Sequence, residues 1–423
     1  MEQDSELLRN ANSQKFDAIS YEEYRQMHPM EESDFVGDSI EALNHSGSDD
    51  SLHNMPARPS DPSNDEDVPN EAGNGEDNGS DSEIENGIEG MLDRHGFLAE
   101  EGSTQSGPLP VTPHSDPRHR KKVIDQLRSR ENKWRDMIAD LKRYKEKNPR
   151  TFKRRMRKGV PDSMRGLVWQ DLCGSRVSLK KYSHLYVDLK SRPTCEDDAV
   201  ISRDIARTFP RHVYFLSKNG RGQQALFHVL RSYSLYDSQV GYCQGMGFIC
   251  ALLLLYMSEE DTFWLLVSLM RSYDMAGLFM PGLPNLGLFL YQFNALLKVH
   301  VPRLHAHFEE EGIVPDMYAA QWFITLFSYS FPFDFVLRVW DIFLAEKWKI
   351  VFRVGLGLLK HEEDTLVTLK FENIMDHIKV QLPLLAEDPD AAIGMGLSIR
   401  LSKKKLRSLE AAYRSERGNV SNK

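Results

Sequence analysis

The chain has 423 residues, 41% of them hydrophobic, with 53 Lys and Arg against 62 Asp and Glu and a formal net charge of −9. That is enough apolar material for one large domain or two of ordinary size. Four cysteines without Cys-x-x-Cys spacing argue against a disulfide framework, and the longest apolar run, Met246 to Met257, falls short of the about 20 residues a bilayer-crossing helix needs.

The charge is unevenly spread. Residues 1–110 hold 27 acidic and 5 basic side chains, a net of −22, which leaves +13 on the other 313 residues. From Glu31 to about Pro110, Ser, Asp, Glu, Asn, Gly and Pro dominate with no sustained apolar period. Such a stretch cannot bury enough surface to offset its ordering entropy, so residues 1–116 are expected to be a disordered acidic region. Ser46-Gly47-Ser48-Asp49 and Ser80-Asp81-Ser82-Glu83 place serines beside acids, a pattern suited to phosphorylation that would add further negative charge. One island, residues 91–98 (Met91-Leu92-Asp93-Arg94-His95-Gly96-Phe97-Leu98), sets apolar residues around a turn-like centre and is expected to dock onto the body. The amino terminus lacks the basic start and apolar core of a signal peptide, so a cytoplasmic setting is expected, with peripheral membrane contact only.

Ile124, Leu127, Trp134, Ile138 and Leu141 recur at helical spacing and predict an amphipathic lead-in helix within residues 117–152. Lys142 to Lys158 then gathers ten basic residues, a solvated helical face with an affinity for anionic lipid headgroups as its alternative. Beyond it, Pro161 stands near a helix start followed by Met164, Leu167, Val168 and Leu172. Further apolar stretches at Phe227 to Leu235, Phe248 to Met257, Phe263 to Met270, Leu286 to Val299, Tyr318 to Phe327, Phe335 to Leu344 and Ile350 to Leu359 read as helices. Alternating strand patterns are missing, so residues 153–401 are expected to be all-α, with 402–423 as a basic tail.

Two short runs carry candidate chemistry: Ile201-Ser202-Arg203-Asp204-Ile205-Ala206-Arg207-Thr208-Phe209-Pro210 and Gly241-Tyr242-Cys243-Gln244-Gly245-Met246. Pro210 biases Phe209 away from helix, which puts Arg207 in a last helical turn with Asp204 three residues earlier on the same face. Gln244 lies among glycines just ahead of a buried helix, where another backbone can approach and a phosphate is favoured. Taken alone, Arg207 better suits a helix carboxyl end and Gln244 a helix cap; the accompanying motifs reverse that. His305-Ala306-His307 with Glu309 lacks the His-Glu-x-x-His zinc spacing and reads as polar helix surface, so no metal site is expected; no Gly-x-x-x-x-Gly-Lys-Ser/Thr loop exists for binding GTP.

Lys158-Gly159-Val160-Pro161 with Arg165 and Trp169, then Asp204 and Arg207, then Tyr242-Cys243-Gln244-Gly245 resemble the three successive signature motifs of the TBC domain, a family of activating proteins for Rab-type small GTPases. The similarity continues through Gly312-Ile313-Val314-Pro315, Gln321-Trp322-Phe323, Phe331-Pro332-Phe333 and Arg338-Val339-Trp340-Asp341, covering roughly residues 153–400. The resemblance implies a helical domain of two subdomains and two residues given to a partner's nucleotide: Arg207 as an arginine finger and Gln244 as a glutamine finger. Asp204, Arg165, Tyr242 and Gly245 would support the GTPase-facing surface. It implies no cofactor of the chain's own, GTP and Mg²⁺ arriving with the GTP-loaded Rab-type GTPase, and a role in vesicle trafficking. The competing expectation is a non-catalytic adaptor on the same fold; nucleic acid is not an expected partner, since the basic body has no aromatic-interleaved stripe.

Overall fold

The computed structural model of the chain describes residues 92–98 and 117–420. The expectation of disorder over residues 1–116 otherwise lies outside them. Among the described residues there is no strand, only two isolated β-bridges, Leu92 with Leu98 and Phe97 with His212.

The lead-in region forms three helices where one was expected. Helix α1 (Pro117–Ile138) ends before Asp140, whose carboxylate caps α2 (Leu141–Lys147) by accepting from the Arg143 N–H at 3.0 Å, and Asn148-Pro149 opens α3 (Pro149–Arg157). Folding back lets Trp134, Met137, Leu141, Phe152 and Met156 bury together against Val168 of α4 (Asp162–Cys173) as a small core of their own. Burial of each such side chain stabilises by about 1.5–3 kcal/mol, which a single straight helix would forgo.

Helices α5 (Ser175–Lys181) and α6 (Leu185–Lys190) lead to α7 (Asp198–Ile205), the short α8 (Val213–Leu216) and α9 (Arg221–Tyr236). The nearly all-apolar α10 (Met246–Leu254) and α11 (Glu259–Ser272) follow; Ser258 caps α11 and three acids in its first turn complement the helix dipole. A second set comprises α12 (Pro284–His300), α13 (Pro302–Glu310), α14 (Ala320–Thr325), α15 (Phe333–Glu346) and α16 (Lys349–His361). It ends with α17 (Glu363–Leu366), α18 (Phe371–Asp376), α19 (Leu382–Leu385), α20 (Pro389–Ser398) and α21 (Lys403–Val420). Both sets close on one continuous apolar core that runs from Trp169 to Leu409.

Helix α15 is the hub, packed on α3, α4, α16 and α20, with Trp340 fully buried. Helices α16 and α20 approach until a Cβ on Gly357 would meet Met395 backbone at 2.6 Å and one on Gly396 the Val354 Cα at 2.9 Å, so only glycine permits this contact. The basic tail expected from residue 402 is the helix α21, laid against α12 through Tyr413 on Tyr291 (ring centroids 5.2 Å) and Gln292 Nε2 donating to Leu406 O at 3.0 Å. His305, expected on a polar surface, is buried.

Candidate functional site

Helix α7 ends at Ile205, so Arg207 stands one residue past the Ala206 cap, its N–H donating to Asp204 O at 3.1 Å. Its guanidinium donates to Asp204 Oδ1, and its side chain keeps 42% of its surface exposed. Thr208 Oγ1 donates to Asp204 O at 2.9 Å and is buried, so the turn closes inward. Phe209 then adopts φ of 45°, a left-handed conformation that non-glycine residues rarely hold without surrounding contacts. Rings of Phe215, Phe248 and Phe333 pack around it at 6.4, 5.7 and 6.0 Å.

The second loop runs from Asp237 to Gly245. Asp197, at the start of α7, pins it: its Oδ2 accepts from Tyr242 N–H at 2.9 Å and from the Ser234 hydroxyl. Tyr242 donates its hydroxyl to Asp204 Oδ2 at 2.7 Å, tying this loop to the one that bears Arg207. Burial first, then the Asp204 bond and charge, push the Tyr242 phenol up, so it remains a protonated donor. Gly245 has φ of 104° and begins α10, and Gln244 beside it is exposed. Burial, and secondarily the Asp204 carboxylate, raise the Cys243 thiol to about 11, which leaves it a packing group rather than a nucleophile at neutral pH.

The site therefore offers two polar side chains of complementary kind, a permanent cation and an amide, on loops fastened to each other through one carboxylate. Tyr329 adjoins Arg207, close enough to feel its charge, and packs against Phe248 at 5.1 Å. Neither Asp197 nor Tyr329 was singled out by the sequence; both make contacts that no local spacing records.

Arg165 lies elsewhere. It is neither a surface charge nor exposed toward a partner, but 6% exposed in α4 and paired to the fully buried Asp341 of α15, with Nε 3.2 Å from Oδ1. It also donates to Val160 O at 2.9 Å and Tyr256 OH at 3.1 Å, and to Asp162. Asp341 in turn accepts from Trp169 Nε1 and Val160 N–H, each at 2.8 Å. Burial pulls the Arg165 guanidinium down, yet Asp341 and its neighbours outweigh that and hold it above its usual value. This buried knot joins the first signature motif to the last.

The expected docking of residues 91–98 has a structural counterpart over 92–98. Leu98 N–H donates to Arg211 O and Val213 N–H to Gly96 O, both at 2.9 Å, beside the Arg207 loop. Among the described residues no helix is long and apolar enough to cross a membrane.

Comparison with known proteins adds to this geometry. A Rab-GTPase-TBC domain family model matches residues 162–367. The chain is similar to the human "Ecotropic viral integration site 5 protein homolog", 39% identical over 283 residues that make up 66% of this chain and 34% of that protein. It is also similar to the Caenorhabditis elegans "Rab GTPase-activating protein tbc-11", 38% identical over 291 residues, 66% of this chain and 30% of that one. The chain thus spans about a third of the length of these relatives. Among solved structures, the Chlamydomonas flagellar RabGAP TBC domain superposes with a TM-score of 0.55 at 27% identity, covering 65% of this chain and 95% of that one.

Proposed function

The chain belongs to the TBC domain family, and from that membership we propose that it is a GTPase-activating protein for a Rab-type small GTPase, with Arg207 and Gln244 supplied in trans to hydrolysis. The reaction spreads negative charge over the γ-phosphoryl group and needs a water held in line, so catalysis consists of charge stabilisation and positioning. Arg207 brings a planar, permanently charged set of donors to that phosphoryl oxygen. The Gln244 carboxamide, with one donor and one acceptor face, orients the water. GTP and Mg²⁺ come with the partner, and the chain needs no cofactor of its own. Cytoplasmic residence with peripheral contact at endomembranes, and a role in vesicle trafficking, follow from such a substrate. The anionic membrane surface would be met by the basic residues of α1 and α3.

The single observation that supports this reading best is the Asp204 carboxylate, which holds the Arg207 guanidinium and, at 2.7 Å, the Tyr242 hydroxyl, so that the arginine and glutamine loops share one anchor. The test is hydrolysis by a panel of GTP-loaded Rab GTPases with and without the chain. One member should be accelerated, and Arg207→Ala should remove on the order of 10³-fold or more of that effect. Gln244→Ala should cripple it too, while a Rab whose own switch glutamine is replaced should stay partly sensitive. Binding to a GTP-loaded Rab with no acceleration by the wild-type chain would instead establish the adaptor.

A further inference from the structure

We propose that Asp93–Leu98 is a positioning element for the Arg207 loop, with Phe97 as its wedge, holding residues 207–213 in the geometry that hydrolysis requires. The inference rests on the role given to Arg207 above and extends it to a segment more than a hundred residues upstream.

The segment builds its own shape. Asp93 Oδ1 accepts from the N–H groups of His95 at 2.8 Å and Phe97 at 2.9 Å, Asp93 N–H donates to Phe97 O at 2.8 Å, and Gly96 turns at φ of 92°. What results is a rigid tip rather than a loose strand. That tip grips the far end of the Arg207 loop through its backbone. Besides the two amide bonds to Arg211 and Gly96, Arg211 donates its guanidinium to Leu98 O at 2.5 Å and His212 Nε2 lies 2.7 Å from His95 O.

On its other side the tip is fixed to α15. His95 Nε2 sits 2.6 Å from Asp334 Oδ1, and Arg94 pairs with the same oxygen. Between the two anchors the Phe97 ring packs edge-on to Phe209 at 5.6 Å and to His212 at 4.7 Å, and tilted on Phe333 at 5.0 Å. Phe209 is the residue in the left-handed conformation, two positions from Arg207, and among the described residues Phe97 is the one ring packed on it that comes from outside the helical body. Phe209 also touches Phe248, four residues beyond Gln244, so a shift of Phe209 disturbs the approach of both fingers. The body's core closes without Phe97, which only rests against it half-buried. Loss of the wedge therefore loosens the loop and leaves the fold intact.

The experiment uses the full chain as wild type, Phe97→Ala and Phe97→Leu, and reads amide hydrogen exchange without any GTPase alongside kcat and KM on the responsive GTP-loaded Rab. Phe97→Ala should speed exchange at residues 207–213 about tenfold with α10 unchanged, and lower kcat by on the order of 10²-fold with KM nearly constant, as expected when a reacting group is misplaced by about 1 Å. Phe97→Leu should restore most of both. Arg94→Ala, which empties no apolar contact, should move both readouts the same way by less. Unchanged exchange at 207–213, or a raised KM at unaltered kcat, overturns the inference; the latter means that the tip touches the GTPase itself. If the wild-type chain accelerates no Rab, it is the role of Arg207 that falls, whereas an active wild type with an equally active Phe97→Ala sinks only the wedge.

Discussion

At Asp204 one carboxylate serves a half-exposed guanidinium and the hydroxyl of the half-buried Tyr242, and different substitutions separate the two duties. Asp204→Asn keeps an acceptor for Tyr242 but removes the charge that holds Arg207. An ion pair with so exposed a partner is worth no more than about 1 kcal/mol, so the urea midpoint should barely move while kcat on the responsive Rab falls. Asp204→Ala should cost about 1–3 kcal/mol more, because the Tyr242 hydroxyl is left without its acceptor. The opposite pattern belongs to Asp341. Asp341→Ala leaves the buried Arg165 with the largely exposed Asp162 as its remaining acid and should destabilise by about 3–5 kcal/mol in urea titration, with activity lost only as the folded fraction falls. Trp169→Ala, at a fully buried position, should cost a similar about 3–5 kcal/mol. The burial of Arg165 was not legible in its own neighbourhood, since the partner that draws it inward is 176 residues away. The Tyr242 bond to Asp204 was hidden for the same reason: the hydroxyl reaches 38 residues back. The helix end near Arg207 was legible because a proline three residues on limits it locally, but the helix stops at Ile205 and leaves Arg207 just past its expected last turn.

Among the elements, those with a broad apolar stripe were legible, as with α11, whose Ser258 cap, three first-turn acids and continuous buried face all agree. The break at Asp140 was masked by charged residues on both sides, and α21 by a stripe reduced to Leu406, Leu409 and Tyr413. The tip at 92–98 carries a pH dependence that sequence could not reveal. His212 Nδ1 accepts from Tyr214 N–H at 3.0 Å, so Nε2 is the protonated nitrogen facing His95 O and the ring is held neutral. Burial keeps its pKa below the usual 6.5; His95 adds to the lowering, while the His95 carbonyl and the Asp93 carboxylate oppose it. Across the tip, Asp334 is raised by burial but brought below the carboxylate range by His95 and Arg94. The undocked histidine therefore binds a proton more readily than the docked one, and docking is full above 6.5 and weakens as pH falls through the lowered value. Protection factors of the Leu98 and Val213 amides should drop between about pH 7.5 and about pH 5.5, and His212→Gln should flatten that drop.

Over the whole molecule, charge is separated by region, with −22 on residues 1–110 and +13 on the rest. Part of that excess lines an open groove of about 1110 Å³ between α1 and α3, where Lys121, Lys122, Lys133, Arg154 and Lys158 are exposed. Arg130, which also lines it, is pulled below its usual value by burial first and then by Arg338, with Asp341 and Asp162 opposing the shift. The net charge of −9 repels an anionic surface at long range, and the groove attracts it only within about a Debye length, about 8 Å at physiological salt. Contact with a membrane should accordingly be weak and steeply salt-dependent, each nearby Lys or Arg contributing about 1 kcal/mol. In co-sedimentation, the chain should favour phosphatidylserine-containing vesicles over neutral ones. The combined Lys121→Glu, Lys122→Glu and Arg154→Glu chain should lose that preference while keeping its activity on a soluble GTP-loaded Rab, because none of the three lies in the Asp204 network. Undiminished vesicle binding by that variant would place the membrane-facing surface elsewhere than the groove.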